Sequence, residues 1–186
     1  MKSLWRTAWL TAILLVCASA VGLADQTDQR LDDLFDTLQT SDDGAQLNEV
    51  EAAIWEIWYD SGDENIDSMM LEASELAAAG DLVAAENLYA NIIELAPNFS
   101  EGWNRRATIR FYMQDYDGAM ADIEQTLKLE PRHFGALWGL GMILGLQQDY
   151  QRAIYAFEKL LEIKPNAQDA RPRIKLLKEA LAKQAV

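Results

Sequence analysis

Apolar residues return at intervals of three and four along most of this chain, as in Tyr116, Ala119 and Ile123, or Tyr150, Ala153 and Phe157. That spacing lines them up on one face of an α-helix. An Asp followed by a large apolar residue (Asp81-Leu82, Asp115-Tyr116, Asp149-Tyr150) marks three helix starts, where a carboxylate can cap free N–H groups. Pro97, Pro131 and Pro165 mark the ends of the same three helices. Leu31–Leu38 and Val50–Tyr59 predict an earlier helix pair, with Ile54, Trp55, Ile57 and Trp58 as its apolar content. Ala167 to Val186 sets Ile174, Leu176, Leu177 and Leu181 among Lys and Arg, which predicts a last amphipathic helix. Pro172 falls near its start, where proline is tolerated.

The helical stretches repeat. A shift of 34 residues superposes the three prolines, the three Asp pairs, and Ala85, Ala119 and Ala153. It also superposes Ala73, Ala107 and Gly141, then Tyr89, Ile123 and Phe157, then Leu95, Leu129 and Ile163. Small residues at two of these positions allow two antiparallel helices to approach closely. The pattern resembles the tetratricopeptide repeat, whose period is 34 residues. The middle unit carries it through Trp103, Ala107, Tyr116, Ala119, Ile123 and Pro131, and departs from it at Arg106 and Arg110. The resemblance implies an all-α, right-handed solenoid of antiparallel helix pairs. Its repeats are 66–99, 100–133 and 134–167, with 25–65 as a degenerate helical pair capping the first repeat and 168–186 as a C-terminal cap.

Ahead of the repeats, Lys2 and Arg6 precede an uncharged, mostly apolar run from Ala8 to Ala24. The run closes on small residues, Ala18-Ser19-Ala20 and Gly22-Leu23-Ala24, and the chain turns polar at Asp25. This is the layout of a cleaved secretory signal over residues 1–24. Membrane attachment would follow only if the segment were kept, and a run of 17 residues is the short limit for a span. Cys17 follows Val16, which is too large for a lipoprotein signal, and cleavage leaves no cysteine. Without disulfides, a bacterial exporter and a periplasmic destination are expected, and Asn98-Phe99-Ser100 is a chance glycosylation match.

Charge narrows the partner. The 186 residues hold 30 acids and 16 bases, so no nucleic-acid partner is expected. Asp25–Glu101 holds 20 acids and the single base Arg30, whereas Gly102 onward holds 10 acids and 13 bases. Such a dipole orients a basic partner, or else keeps an exported protein soluble. One histidine and one cysteine exclude two-histidine metal sites and Cys-based zinc or redox motifs. Asp60, Asp63, Glu64, Asn65 and Asp67 are dense, but Ser68 and Ser74 stand where a calcium loop from Asp63 needs Gly and Glu. No catalytic residue, metal or cofactor is assigned, and the chain is read as a non-enzyme. His133, with no nucleophile at a recognisable spacing, reads as a surface or turn residue.

The resemblance also implies which positions face a concave groove. They are Asn104, Arg105, Thr108, Phe111 and Tyr112 in the second repeat, and Trp138, Met142 and Leu146 in the third. Gly135, Gly139 and Gly145 thin the wall there, which suggests close approach by something. Of a set able to clamp a partner's carboxylates only Asn104 and Arg105 are present, and Arg105, Arg106, Arg110 and Arg132 are expected to pair with nearby acids instead. The expectation is an exported adaptor that binds a protein or peptide in this groove during cell-envelope assembly or maintenance. The alternatives are a structural homo-oligomer that fills its own groove, and a non-catalytic subunit of an envelope enzyme complex.

Overall fold

A computed structural model describes residues 28–184. The expected leader, residues 1–24, lies outside them. Among the described residues the secondary structure is helical throughout. The helices are α1 (Arg30–Thr40), α2 (Gly44–Tyr59), α3 (Glu64–Ala78), α4 (Leu82–Leu95), α5 (Ser100–Tyr112), α6 (Tyr116–Leu129), α7 (Phe134–Leu146), α8 (Tyr150–Ile163) and α9 (Ala170–Gln184). Each pair α3–α4, α5–α6 and α7–α8 is an antiparallel hairpin, each hairpin stacks on the next, and α9 packs on α8. The molecule is an all-α tetratricopeptide-type solenoid.

Local chemistry sets these boundaries. Asp81, Asp115 and Asp149 accept the backbone N–H of Ala84, Gly118 and Arg152 at 3.1, 3.1 and 3.2 Å, capping the second helix of each repeat. The residue before each cap turns the chain through the left-handed region: Gly80 at φ 86°, Gln114 at 63° and Gln148 at 62°. Asp43 caps α2 through Ala45 N–H at 2.9 Å, so that helix starts six residues before Val50, at Gly44. Its polar first turns hide this start from an apolar pattern.

The small-residue pairs lie between the helices of each hairpin: Ala73, Ala85, Ala119 and Ala153 are fully buried and Ala107 is nearly so. At Gly141 an added Cβ would come within 2.7 Å of the Phe157 ring, so the third repeat has no room even for alanine. Asp122, 1% exposed, receives a two-pronged contact from Arg106 at 2.9 and 2.7 Å and a third bond from Arg110 at 3.0 Å. Arg110 also reaches Glu86 at 2.8 Å, so α4, α5 and α6 are tied through one guanidinium. This pairing accounts for arginine at the two positions where the middle repeat departs from its pattern.

The N-terminal helical pair does not cap the first repeat. Instead α1 packs against α8, and α2 packs against α5, with no comparable packing of α2 on α3. Leu31, Phe35, Ile54 and Trp58 join Phe134, Phe157 and Leu160 in one buried cluster. Arg132–Asp32 at 2.7 Å and Lys164–Glu51 at 2.5 Å pin the hairpin to the loops that follow α6 and α8. Among the described residues nothing covers the outer face of α3.

Candidate functional site

The centre of the assembly is a turn. Of the surface or turn residue expected from sequence, His133 is the turn residue, and the surface reading is corrected because it is fully buried. Its Nδ1 accepts the Ala136 N–H at 3.1 Å and so caps α7. That leaves the proton on Nε2, which donates to Glu101 Oε2 at 3.0 Å. Glu101, also fully buried, accepts two further bonds, from Asn104 Nδ2 at 2.9 Å and Arg105 Nε at 2.6 Å. Trp58 stacks on the imidazole at 4.2 Å between centroids, 10° from parallel, and Trp55 meets it edge-on at 5.6 Å. Burial, with the Glu101 charge nearby, pushes the Tyr89 phenol up to about 12. No sequence motif marks this network, since its members lie on α2, α4, α5 and the loop before α7.

Beside this network a trough of about 300 Å³ opens between α5 and α7. Asn104, Thr108, Phe111 and Tyr112 line one wall, and Trp138 and Met142 line the other. No charged side chain lines it. Six of the eight residues expected at the groove therefore meet in one cavity. The other two do not line it. Arg105 is held by Glu101 at 2.6 Å and lies over the Tyr59 ring at 4.6 Å, and burial pushes its guanidinium below the usual value. Leu146, 53% exposed, belongs to a smaller cleft of about 160 Å³ formed with Arg173, Leu176 and Leu177 of α9.

Trp138 is also less free than its spacing implies. It is half-buried against the Phe157 ring at 5.2 Å, with the Arg173 guanidinium 5.0 Å from its centroid. It therefore belongs to the inter-helix packing as well as to the trough. The glycines around it have occupants from this same chain. A Cβ at Gly135 would meet Trp55 at 2.9 Å, one at Gly139 would meet Ile123 at 3.3 Å, and one at Gly145 would meet Leu177 at 3.5 Å. The close approach suggested by these glycines comes from the protein's own helices. Trp55 and Gly135 belong to a second hollow of about 290 Å³, which shares Trp138 with the first. In this way α2 supplies one wall of the second hollow, a part that no groove-position rule could indicate.

Among the described residues no group of three or more His, Cys, Asp or Glu is placed to hold a metal ion. Comparison with known proteins agrees with the repeat architecture. A tetratricopeptide repeat family model matches residues 104–168. A TPR repeat-containing protein of Rhizobium etli is 38% identical over 154 residues, covering 83% of this chain and 76% of the relative. A small glutamine-rich tetratricopeptide repeat-containing protein 2 of Mycosarcoma maydis is 28% identical over 62% of this chain, which spans 33% of that relative. Among solved structures, the first TPR of Spaghetti (RPAP3) bound to the HSP90 peptide SRMEEVD superposes with a TM-score of 0.61 at 20% identity, over 63% of this chain and 93% of that one. The Sgt2 TPR domain from Aspergillus fumigatus gives 0.62 at 21% identity, over 66% and 83%. By descent as well as by fold, this chain belongs to the tetratricopeptide repeat family.

Proposed function

We propose that the protein is a non-catalytic adaptor that seats a short segment of a partner protein in the trough between α5 and α7. The observation that carries this reading is the trough itself, an open apolar cavity of about 300 Å³ rimmed by exposed Thr108 and Tyr112. Burying apolar side chains of a peptide there contributes about 25 cal/mol per Å² removed from water, before the cost of ordering the peptide. A structural neighbour that holds a peptide, the first TPR of Spaghetti, supports the same use of the fold. The lining differs from what an acidic tail needs, because Arg105 is already committed to Glu101. A segment with one or two apolar anchors suits this trough better than a carboxylate-rich one.

Peptides selected from a random display library against the purified protein test the reading. Thr108 is exposed at the rim, so Thr108→Trp should fill the cavity without disturbing the core and weaken selected peptides tenfold or more. Peptides that bind this variant and Met142→Glu as well as the parent would place the binding surface elsewhere.

We propose that the adaptor works in the bacterial periplasm, in cell-envelope assembly or maintenance. The support is the leader pattern at residues 1–24 and a relative in a bacterium, Rhizobium etli. Mass spectrometry of protein from the native host should find a first residue near Val21 or Asp25. An intact Met1–Ala24 in the membrane fraction would make the protein an anchored one.

A further inference from the structure

The two ends of the solenoid carry opposite charge on the faces where a further helix would stack. Inside the array, the first helix of each repeat packs on the preceding repeat through a defined set of positions. Gly102 of α5 lies against Ile92 and Ile93, Gly139 of α7 lies against Ile123, and Ile109 and Ile143 are buried. One or two periods earlier these positions become Ser68, Leu71 and Glu75 of α3, with Glu72 (the equivalent of Arg106) beside them. All four are exposed, Leu71 at 63%, because the α1–α2 hairpin docks elsewhere. The whole first repeat, 66–99, holds six acids and no base.

At the other end α9 stands where the first helix of a fourth repeat would be. In α7, Leu137 clusters with Ile154, Phe157 and Leu160 of α8, Gly141 lies against Phe157, and Leu144 on the same face is buried. One period later these α7 positions are Arg171, Lys175 and Lys178, all exposed. Among the described residues no helix covers them. Residues 168–186 hold five bases and two acids, Asp169 and Glu179. Lys178 reaches back to Glu158 at 3.0 Å and Arg171 to the Pro165 carbonyl at 3.2 Å, while Lys175 projects from the middle of the face.

We infer that a second copy of this chain is the partner of these faces. The basic outer face of α9 in one copy docks on the acidic outer face of α3 in the next, head to tail. The two faces are different surfaces, so the contact is heterologous and adds copies in a row until geometry closes a ring. Leu71 supplies an apolar point inside a charged contact. An interface made of exposed charges is weak and is steered and screened by salt. It is separate from the trough between α5 and α7, which shares no residue with either face.

Sedimentation velocity of the purified protein over a range of concentrations tests this. At low ionic strength the average mass should climb with concentration past that of a dimer. It should return to the monomer above roughly 0.3 M salt, where the screening length is about half its 0.1 M value. Glu72→Lys/Glu75→Lys and Arg171→Glu/Lys175→Glu should each remove the climb, and the milder Glu72→Gln/Glu75→Gln should reduce it. An equimolar mixture of the two reversed proteins pairs a basic α3 face with an acidic α9 face, and should restore association. A protein that stays monomeric at every concentration, a climb untouched by either reversal, or a mixture that remains monomeric would overturn the inference.

Discussion

At the scale of single residues, most of the strain sits in the turns that join the two helices of each repeat. Gly80 adopts φ 86° at no steric cost, whereas Gln114 and Gln148 hold nearly the same conformation with a Cβ. The left-handed region costs a residue other than glycine about 1–2 kcal/mol, and glycine loses part of that advantage to its greater freedom when unfolded. Gln148→Gly should therefore raise stability by about 0.5–1 kcal/mol in urea denaturation, with Gln114→Gly close behind; a loss of stability would mean that the glutamine side chains hold the turns. Tyr89 gives a second prediction, in pH. Its phenol releases a proton near 10 when unfolded and only near about 12 when folded. Between those values the unfolded chain holds fewer protons than the folded one, so stability is intact below pH 10 and falls as pH rises through the window. The two-unit difference corresponds to about 2–3 kcal/mol by pH 12. Tyr89→Phe should flatten that fall in thermal melts taken from pH 9 to 12.

At the scale of helices, the repeat period was readable because one physical requirement recurs: two helices must touch at a small residue and end at a proline. Ala119 is fully buried at such a contact, in a cluster with Ala107, Ile123 and Ile143. Ala119→Leu should overpack it and cost about 1–3 kcal/mol, whereas Glu124→Ala on the exposed side of α6 should stay within about 0.5 kcal/mol. Equal shifts in melting temperature would mean that the pairing of α5 with α6 is misplaced. The same logic brought six of the expected residues to one cavity, since position along the first helix of a repeat fixes the direction of the side chain. It failed for Arg105, whose direction is set by the buried carboxylate of Glu101 one turn earlier. It failed also for His133, because capping, burial and aromatic stacking on one imidazole leave no periodic trace. Where α1 and α2 dock was equally illegible: an amphipathic hairpin announces that it needs a partner face and does not name it.

At the scale of the whole molecule, the α1–α2 hairpin decides what remains open. By packing on the second and third repeats it leaves the α3 face bare among the described residues and sets Trp55 of α2 in the hollow beside the trough. Its hold is concentrated on few groups. Trp58 is 1% exposed, stacks on His133 at 4.2 Å and lies 4.9 Å from the Phe134 ring. Its indole N–H is buried with no partner, so its contribution comes from ring packing alone. The ion pairs Asp32–Arg132 and Glu51–Lys164 lie at the edges, and the first is exposed enough to be screened. Trp58→Ala should therefore cost about 3–5 kcal/mol, the range for truncating a buried aromatic ring. The loss should fall first on the hairpin, because the α3–α4 and α5–α6 contacts do not involve it. Hydrogen exchange read by mass spectrometry should show residues 30–59 losing protection by orders of magnitude while 82–95 and 116–129 keep theirs. Peptide affinity should drop with them, since Trp55 walls the hollow beside the trough and packs against Gly135, which lines both. If all helices lost protection together instead, the hairpin and the repeats would be one cooperative unit, and the groove could not be opened without unfolding the protein.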